Sequence, residues 1–290
     1  MAVTEYRRQR PLSATLARRT GRALAYLVLA VGGLLFIFPF LYTLRTSLTP
    51  FGQLFADPPV IWPWPMEWRN YEVMLKTGPY LHFLRNSVIV TAQNVLVETI
   101  ASVMVGYGFA RVKFEGRDKL FLLVLATMMV PSTVTLIPQY ALFAKAGMVN
   151  TFWPLMIPRF FGHPFYIFIM RQFFMTLPKE LDEAAEIDGA SLWQTMRRVI
   201  LPLSKPAVAT VAIFSFVNHW NDFTEPLVYL LTPENQTLAL GLRWFLHNQG
   251  GEFTAMMAAA TVFTAPMLVA FFFAQKQFIR GIQLTGLKEG

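Results

Sequence analysis

From Ala23 to Leu44 the chain runs for 22 residues without an Asp, Glu, Lys, Arg or His. About 20 apolar residues in a helix span the hydrocarbon core of a bilayer, where only a helix or a closed barrel satisfies its own backbone. The run is too long for the apolar region of a cleaved signal, and no small-x-small site follows at Leu44-Arg45-Thr46-Ser47. It reads as a span that stays attached. Five more segments of this character follow, near 87–110, 120–143, 152–174, 207–231 and 253–274. Apolar residues are 54% of the chain and charged residues only 14%, against about a quarter in a soluble domain. These features predict an all-α integral membrane protein with six transmembrane helices, one membrane domain over 23–290 and a basic arm over 1–22.

Prolines and glycines punctuate the spans. Gly32-Gly33 and Pro39 predict close packing and a kink in the first. Pro131 and Pro138 are expected to break the third, and Pro158, Gly162 and Pro164 to interrupt the fourth. Between the first two spans, Trp62, Trp64 and Trp68 stand among prolines, a composition suited to a membrane–water interface. The basic residues then choose an orientation. Six arginines precede Ala23; Arg111, Lys113, Arg117 and Lys119 follow the second span. Arg171, Lys179, Arg197, Arg198 and Lys205 surround the loop after the fourth, and Lys276, Arg280 and Lys288 end the chain. These are 18 of the 25 Lys and Arg, all on one side of a six-span topology, so the positive-inside rule puts both termini in the cytoplasm. The net charge of +8 thus tracks membrane sidedness, with no basic face interleaved with aromatics, and no nucleic-acid partner is expected.

The loop between the fourth and fifth spans is the most structured polar stretch. In Pro178–Pro202, Pro178 suits a first helical position, and Glu180, Asp182 and Glu183 lie where a helix dipole favours anions. Gly189 is placed to end that helix in a left-handed conformation. Ser191 with Gln194 predicts a capping box for a second helix, which Pro202 is expected to stop. Leu181, Ala184 and Ala185 are expected to share a small-residue docking face rimmed by carboxylates.

Glu183-Ala184-Ala185, Asp188-Gly189 and the closing Leu201-Pro202 resemble the EAA loop of ABC importer permeases, with Val199 where the family usually has Ile. With Leu177-Pro178-Lys179-Glu180-Leu181 the resemblance is closest to the maltose-type sugar permeases. It extends to Arg85-Asn86-Ser87, a loop at Gly106-Tyr107-Gly108-Phe109-Ala110-Arg111, Val130-Pro131, Leu136-Ile137-Pro138 and Arg171-Gln172-Phe173-Phe174. The tail, Gly286-Leu287-Lys288-Glu289-Gly290, departs from the small-residue run common in the family. The resemblance implies a cytoplasmic coupling helix that seats in a cleft of an ATPase subunit. The residues it assigns to that role are Leu181, Glu183, Ala184, Ala185, Asp188, Gly189, Leu201 and Pro202. It also implies the partners: a second homologous permease, an ABC ATPase dimer and an extracytoplasmic solute-binding protein, in a bacterial-type inner membrane.

No catalytic set is visible. Gly is nowhere followed by Lys, so no phosphate-binding loop exists here, and ATP and Mg belong to the partner ATPase. No cofactor or metal is expected: His82, His163, His219 and His247 are scattered, and there is no cysteine. Glu98 lies mid-span, a costly place for a carboxylate, with Asn94 and Ser102 one turn away on either side. Two readings of this face stand, a lining for the translocation path and an interhelical hydrogen bond with Glu98 protonated. In the fifth span Asn218 precedes Trp220-Asn221-Asp222-Phe223, which resembles the Trp-Asn-[Asp/Glu]-Phe segment of sugar permeases. Amides, a carboxylate and an indole suit contact with sugar hydroxyls and ring faces. Equally, Asn221 and Asp222 suit closing a kink, with Trp220 as an interface anchor. The expected function is uptake of a sugar or related polar solute by an ABC importer. The alternatives are an ion-coupled secondary transporter, a permease of the same family for a solute such as a glycerol phosphate, and a membrane enzyme.

Overall fold

A computed structural model describes residues 12–58, 60–76, 78–243, 245 and 253–286. Residues 1–11 of the basic arm, residues 287–290 of the tail and His247 therefore lie outside the described residues. Among the described residues there is no strand. Three helices are long and apolar enough to cross a membrane, within α1 (Leu12–Ser47), α3 (Tyr80–Arg111) and α14 (Phe253–Gly286). Counting each of two bent helix pairs as one span makes up to five among the described residues. In the first, α4 (Arg117–Ala126) continues to Met129 and then turns 95° into α5 (Ser132–Lys145). In the second, Leu192–Leu203 turns 82° into α11 (Lys205–Trp220).

The remaining expected spans are pieces. The fourth consists of α6 (Trp153–Met156), a 3-10 turn at Ile157–Phe161 and α7 (Pro164–Thr176), divided at Gly162. The fifth ends at Trp220, and after a three-residue break α12 (Thr224–Tyr229) resumes. Gly106 to Arg111 is helical, the last turns of α3 and not a loop. Prolines act by position. Pro131 marks a break, whereas Pro39, Pro138 and Pro266 lie inside continuous helices. The close packing expected at Gly32-Gly33 is not used within the chain, because nothing lies within 4 Å of a Cβ built at either glycine.

α3 organises the interior. It packs against α7 and α11, and its buried stripe reads Ser87, Thr91, Asn94, Glu98 and Ser102, spaced three or four apart on one face. Its N-terminal end is pinned by side chains. Asn86 donates to the carbonyls of Glu234 and Gln236 at 2.7 and 2.9 Å, and Ser87 Oγ accepts from Leu238 N, which opens α13 (Leu238–Gly241). Away from this core, α1 packs on α14. The buried Asn70 of α2 (Arg69–Lys76) closes that end: its amide donates to Ser47 O and Thr49 O, and its Oδ1 accepts from Thr254. Trp62, Trp64 and Trp68 are exposed between α1 and α2.

Candidate functional site

The loop 178–202 forms two short helices joined by a turn at Gly189. α8 (Glu180–Ile187) closes on Gly189, whose φ of 77° is the left-handed conformation that glycine adopts without strain. Gly189 N donates to Glu186 O and Ala190 N to Ala185 O, the paired bonds of a Schellman turn. Ser191 then caps α9 (Leu192–Thr195): its Oγ accepts from Gln194 N while Gln194 Oε1 accepts from Ser191 N, so the predicted capping box is formed. Pro202 does not stop the helix. A π turn at Met196–Ile200 precedes it, and the chain stays helical through α10 (Leu201–Leu203). The wider turn accommodates a residue that lacks an N–H and crowds the preceding turn.

The loop's two faces differ from the expected assignment. Ala185 is buried, and Leu181 is half-buried and packed on the chain's own cluster around Phe174, Met196 and Ile200. Glu183, Ala184, Asp188 and Gly189 are exposed, Leu201 is half-buried and Pro202 exposed. Outward the loop shows Ile187, Leu192 and Trp193, 87, 61 and 55% exposed. Leu181, Ala184 and Ala185 are three and four residues apart, yet only Ala185 is buried, and Ala184 stays exposed. The sequence reading missed the exposed apolar trio, although Ile187 and Leu192 flanking a glycine turn was a readable sign.

Arginines tie this loop to the membrane helices. Arg111 donates to the carbonyls of Phe174 and Leu177 at 2.6 and 2.7 Å and to Asp182 Oδ2 at 2.5 Å. Arg171 donates to Phe109 O and to Asp118 Oδ1, with its guanidinium 4.1 Å above the Phe121 ring.

The second cluster lies between α3 and α11. Glu98, 1% exposed, accepts from Ser215 Oγ at 2.6 Å, and its Oε2 lies 3.0 Å from His219 Nε2. Asn94 fixes the ring's tautomer. Its amide donates to Leu155 O at 3.1 Å, which sets the amide's orientation, and its second N–H faces His219 Nδ1 at 3.4 Å. Nδ1 is then the acceptor, so Nε2 carries the proton and donates to the carboxylate. Both contacts converge on Oε2 of Glu98. The interhelical bond itself is present. Ser102 is buried against Gly162 with no partner for its hydroxyl. Sequence reasoning missed Ser215 and His219 because they are 117 and 121 residues from Glu98.

Beyond this cluster, Arg159 Nη2 lies 2.7 Å from both carboxylate oxygens of Glu225. Asp222 Oδ1 accepts from Glu225 N, bridging the break between α11 and α12, and Asn221 donates back to Val217 O. Asn218 is exposed. Trp220 is buried, stacked on Phe216 and Phe263, with its indole N–H on Phe263 O at 3.0 Å. Trp220 is thus a packing residue, and Asp222 and Asn221 close the break. Among the described residues no three His, Asp or Glu gather as a metal site.

Residues 99–284 match the family described as binding-protein-dependent transport system inner membrane component. The chain belongs to this family. The permease is 32% identical to the arabinooligosaccharides transport system permease protein AraQ of Halalkalibacterium halodurans, over 87% of this chain and 91% of that one. It is 30% identical to the diacetylchitobiose uptake system permease protein DasC of Streptomyces coelicolor, over 87% and 92%. Its fold is that of a chain in the crystal structure of a bacterial ABC transporter involved in the import of the acidic polysaccharide alginate. There the TM-score is 0.81 at 21% identity, covering 94% of the permease and 99% of that chain. The permease is an inner-membrane subunit of an ABC transporter.

Proposed function

We propose that the permease carries a sugar or oligosaccharide inward, driven by ATP hydrolysis in a separate ATPase dimer that grips the loop α8–α9. The observation that carries this is the loop's outward face. Ile187, Leu192 and Trp193 stand exposed on a turn held rigid by a Schellman motif and a capping box, and an exposed apolar patch of this kind marks a protein contact. Glu183, Ala184, Asp188 and Gly189 border that face. Relatives named for arabinooligosaccharides and diacetylchitobiose support the substrate class. Membership in a binding-protein-dependent family supports an external solute-binding protein and a second permease, and weighs against an ion-coupled transporter. Six crossings follow if α6 and α7 together count as one, with both termini and the loop in the cytoplasm. Of the polar groups expected on the solute path, Asn218 and Asn221 are exposed and Asp222 half-buried, and these can face a path between the two permeases, whereas Asn94, Glu98 and Ser102 are buried among the chain's own helices.

Two substitutions test the docking. A Cβ at position 189 would meet nothing within 4 Å, so the cost of Gly189→Val comes from the left-handed backbone alone, about 1–2 kcal/mol. Glu183→Arg reverses an exposed charge whose contribution to the helix itself is about 0.3–1 kcal/mol. Both variants are expected to insert and pair normally but to lose the ATPase on affinity purification, and uptake with it. Wild-type ATPase recovery in both would overturn the assignment.

Topology has its own test, made simple by a chain without cysteine. An impermeant thiol reagent added to intact cells is expected to label Glu72→Cys, on the exposed face of α2, and to spare Glu115→Cys between α3 and α4. The reverse pattern would invert the orientation.

A further inference from the structure

The link from α7 to α8 is only Leu177, Pro178 and Lys179, and a link of three residues would by itself let α8 swing. One side chain bridges it. Arg111, 6% exposed at the end of α3, holds the carbonyls of Phe174 and Leu177 on one side of the link and the carboxylate of Asp182 on the other. The carbonyls in the last turn of a helix lack the regular intrahelical bond, Phe174 O having only the capping N–H of Leu177, and a guanidinium satisfies several such groups in one fixed geometry while its charge suits a helix C-terminus. The tie is mutual, since Arg171 of α7 returns to Phe109 O at 3.3 Å, on the last turn of α3. At Gly106 the two helices touch backbone to backbone. Leu181 seats α8 on the same unit.

We propose that Arg111 and Asp182 are positioning residues for coupling: they lock α8 to α3 and α7, so that displacement of the docked loop is passed to the membrane helices and not absorbed in the link. This rests on the docking of α8–α9 onto the ATPase.

The experiment uses the whole transporter in proteoliposomes and measures ATPase recovery, ATP hydrolysis and uptake side by side. Asp182→Asn removes the charge but keeps the shape. Arg111→Lys keeps the charge but loses the fork that reaches several acceptors. Both are expected to retain the ATPase at wild-type amounts while solute taken up per ATP hydrolysed falls about fivefold or more. The double variant is expected to fall no further than the stronger single one, because the two act as one joint. Arg111→Ala, which leaves buried acceptors bare, is expected to lower yield as well. An unchanged ratio of uptake to hydrolysis in both conservative variants overturns the proposal, and so does a loss of yield with that ratio intact. Failure of the docking itself registers separately, as wild-type ATPase recovery in Glu183→Arg and Gly189→Val.

Discussion

Gly106→Val is expected to prevent assembly of a stable permease, and Gly106→Ala to weaken it, whereas Gly108→Ala leaves it intact. A Cβ at 106 would lie 2.7 Å from Met170 Cβ, 3.1 Å from Arg171 N and 3.2 Å from Ile167 O. Two of these three are backbone atoms and cannot move aside without displacing α7. Overpacking of this kind costs about 1–3 kcal/mol where the core yields, and more where it does not. Valine adds two methyls to the collision. Forcing the helices apart also lengthens the bonds from Arg171 to Phe109 and from Arg111 to Phe174. At 108 a Cβ meets nothing within 4 Å, so alanine there gains helix propensity of about 0.5–1 kcal/mol. Thermal unfolding of the purified variants in detergent distinguishes the two positions. Equal stability of Gly106→Val and wild type would mean that α3 and α7 are not in backbone contact.

Glu98→Leu is the second variant with a large expected effect. Leucine fits a membrane helix but leaves Ser215 Oγ and the N–H of His219 buried without an acceptor, at about 1–3 kcal/mol for each group. A reference state inside the membrane softens that cost, since freed groups find partners there at about 0.6–2 kcal/mol each. Glu98→Gln keeps an oxygen in place for both donors and is expected to recover most of the lost stability. Yield and thermal stability are therefore expected to follow wild type, then Gln, then Leu. If Leu matches wild type, the cluster does not tie α3 to α11. If Gln matches wild type in stability while uptake falls, the carboxylate also acts on the solute path.

What could be read from the sequence was local. Gly189 and the Ser191–Gln194 box depend on contacts within a few residues, and both formed as expected. The polar face of α3 was legible at Asn94, Glu98 and Ser102 because helical spacing alone aligns them. Its partners were not, since Ser215 and His219 come from a helix that only the tertiary fold brings near. The proline readings mark the same boundary. Pro131 marks a break, whereas Pro138, also expected to break its span, lies inside α5, as Pro39 lies inside α1. Ala185 turned inward where a docking face was expected: sequence showed that small residues share α8, but not which side of it the Phe174 cluster covers.

The π turn at Met196–Ile200 sets a phase. A π turn holds one more residue than an α turn, and each residue advances a helix by about 100°. The direction in which Leu192 and Trp193 look out is therefore offset by roughly that angle from the direction an unbroken α-helix running back from Pro202 would give them. Alignment of the loop's outer face with the membrane helices is carried by a single supernumerary residue. Length in this segment is then a more stringent constraint than side-chain identity, since an insertion or deletion there rotates the whole face at once.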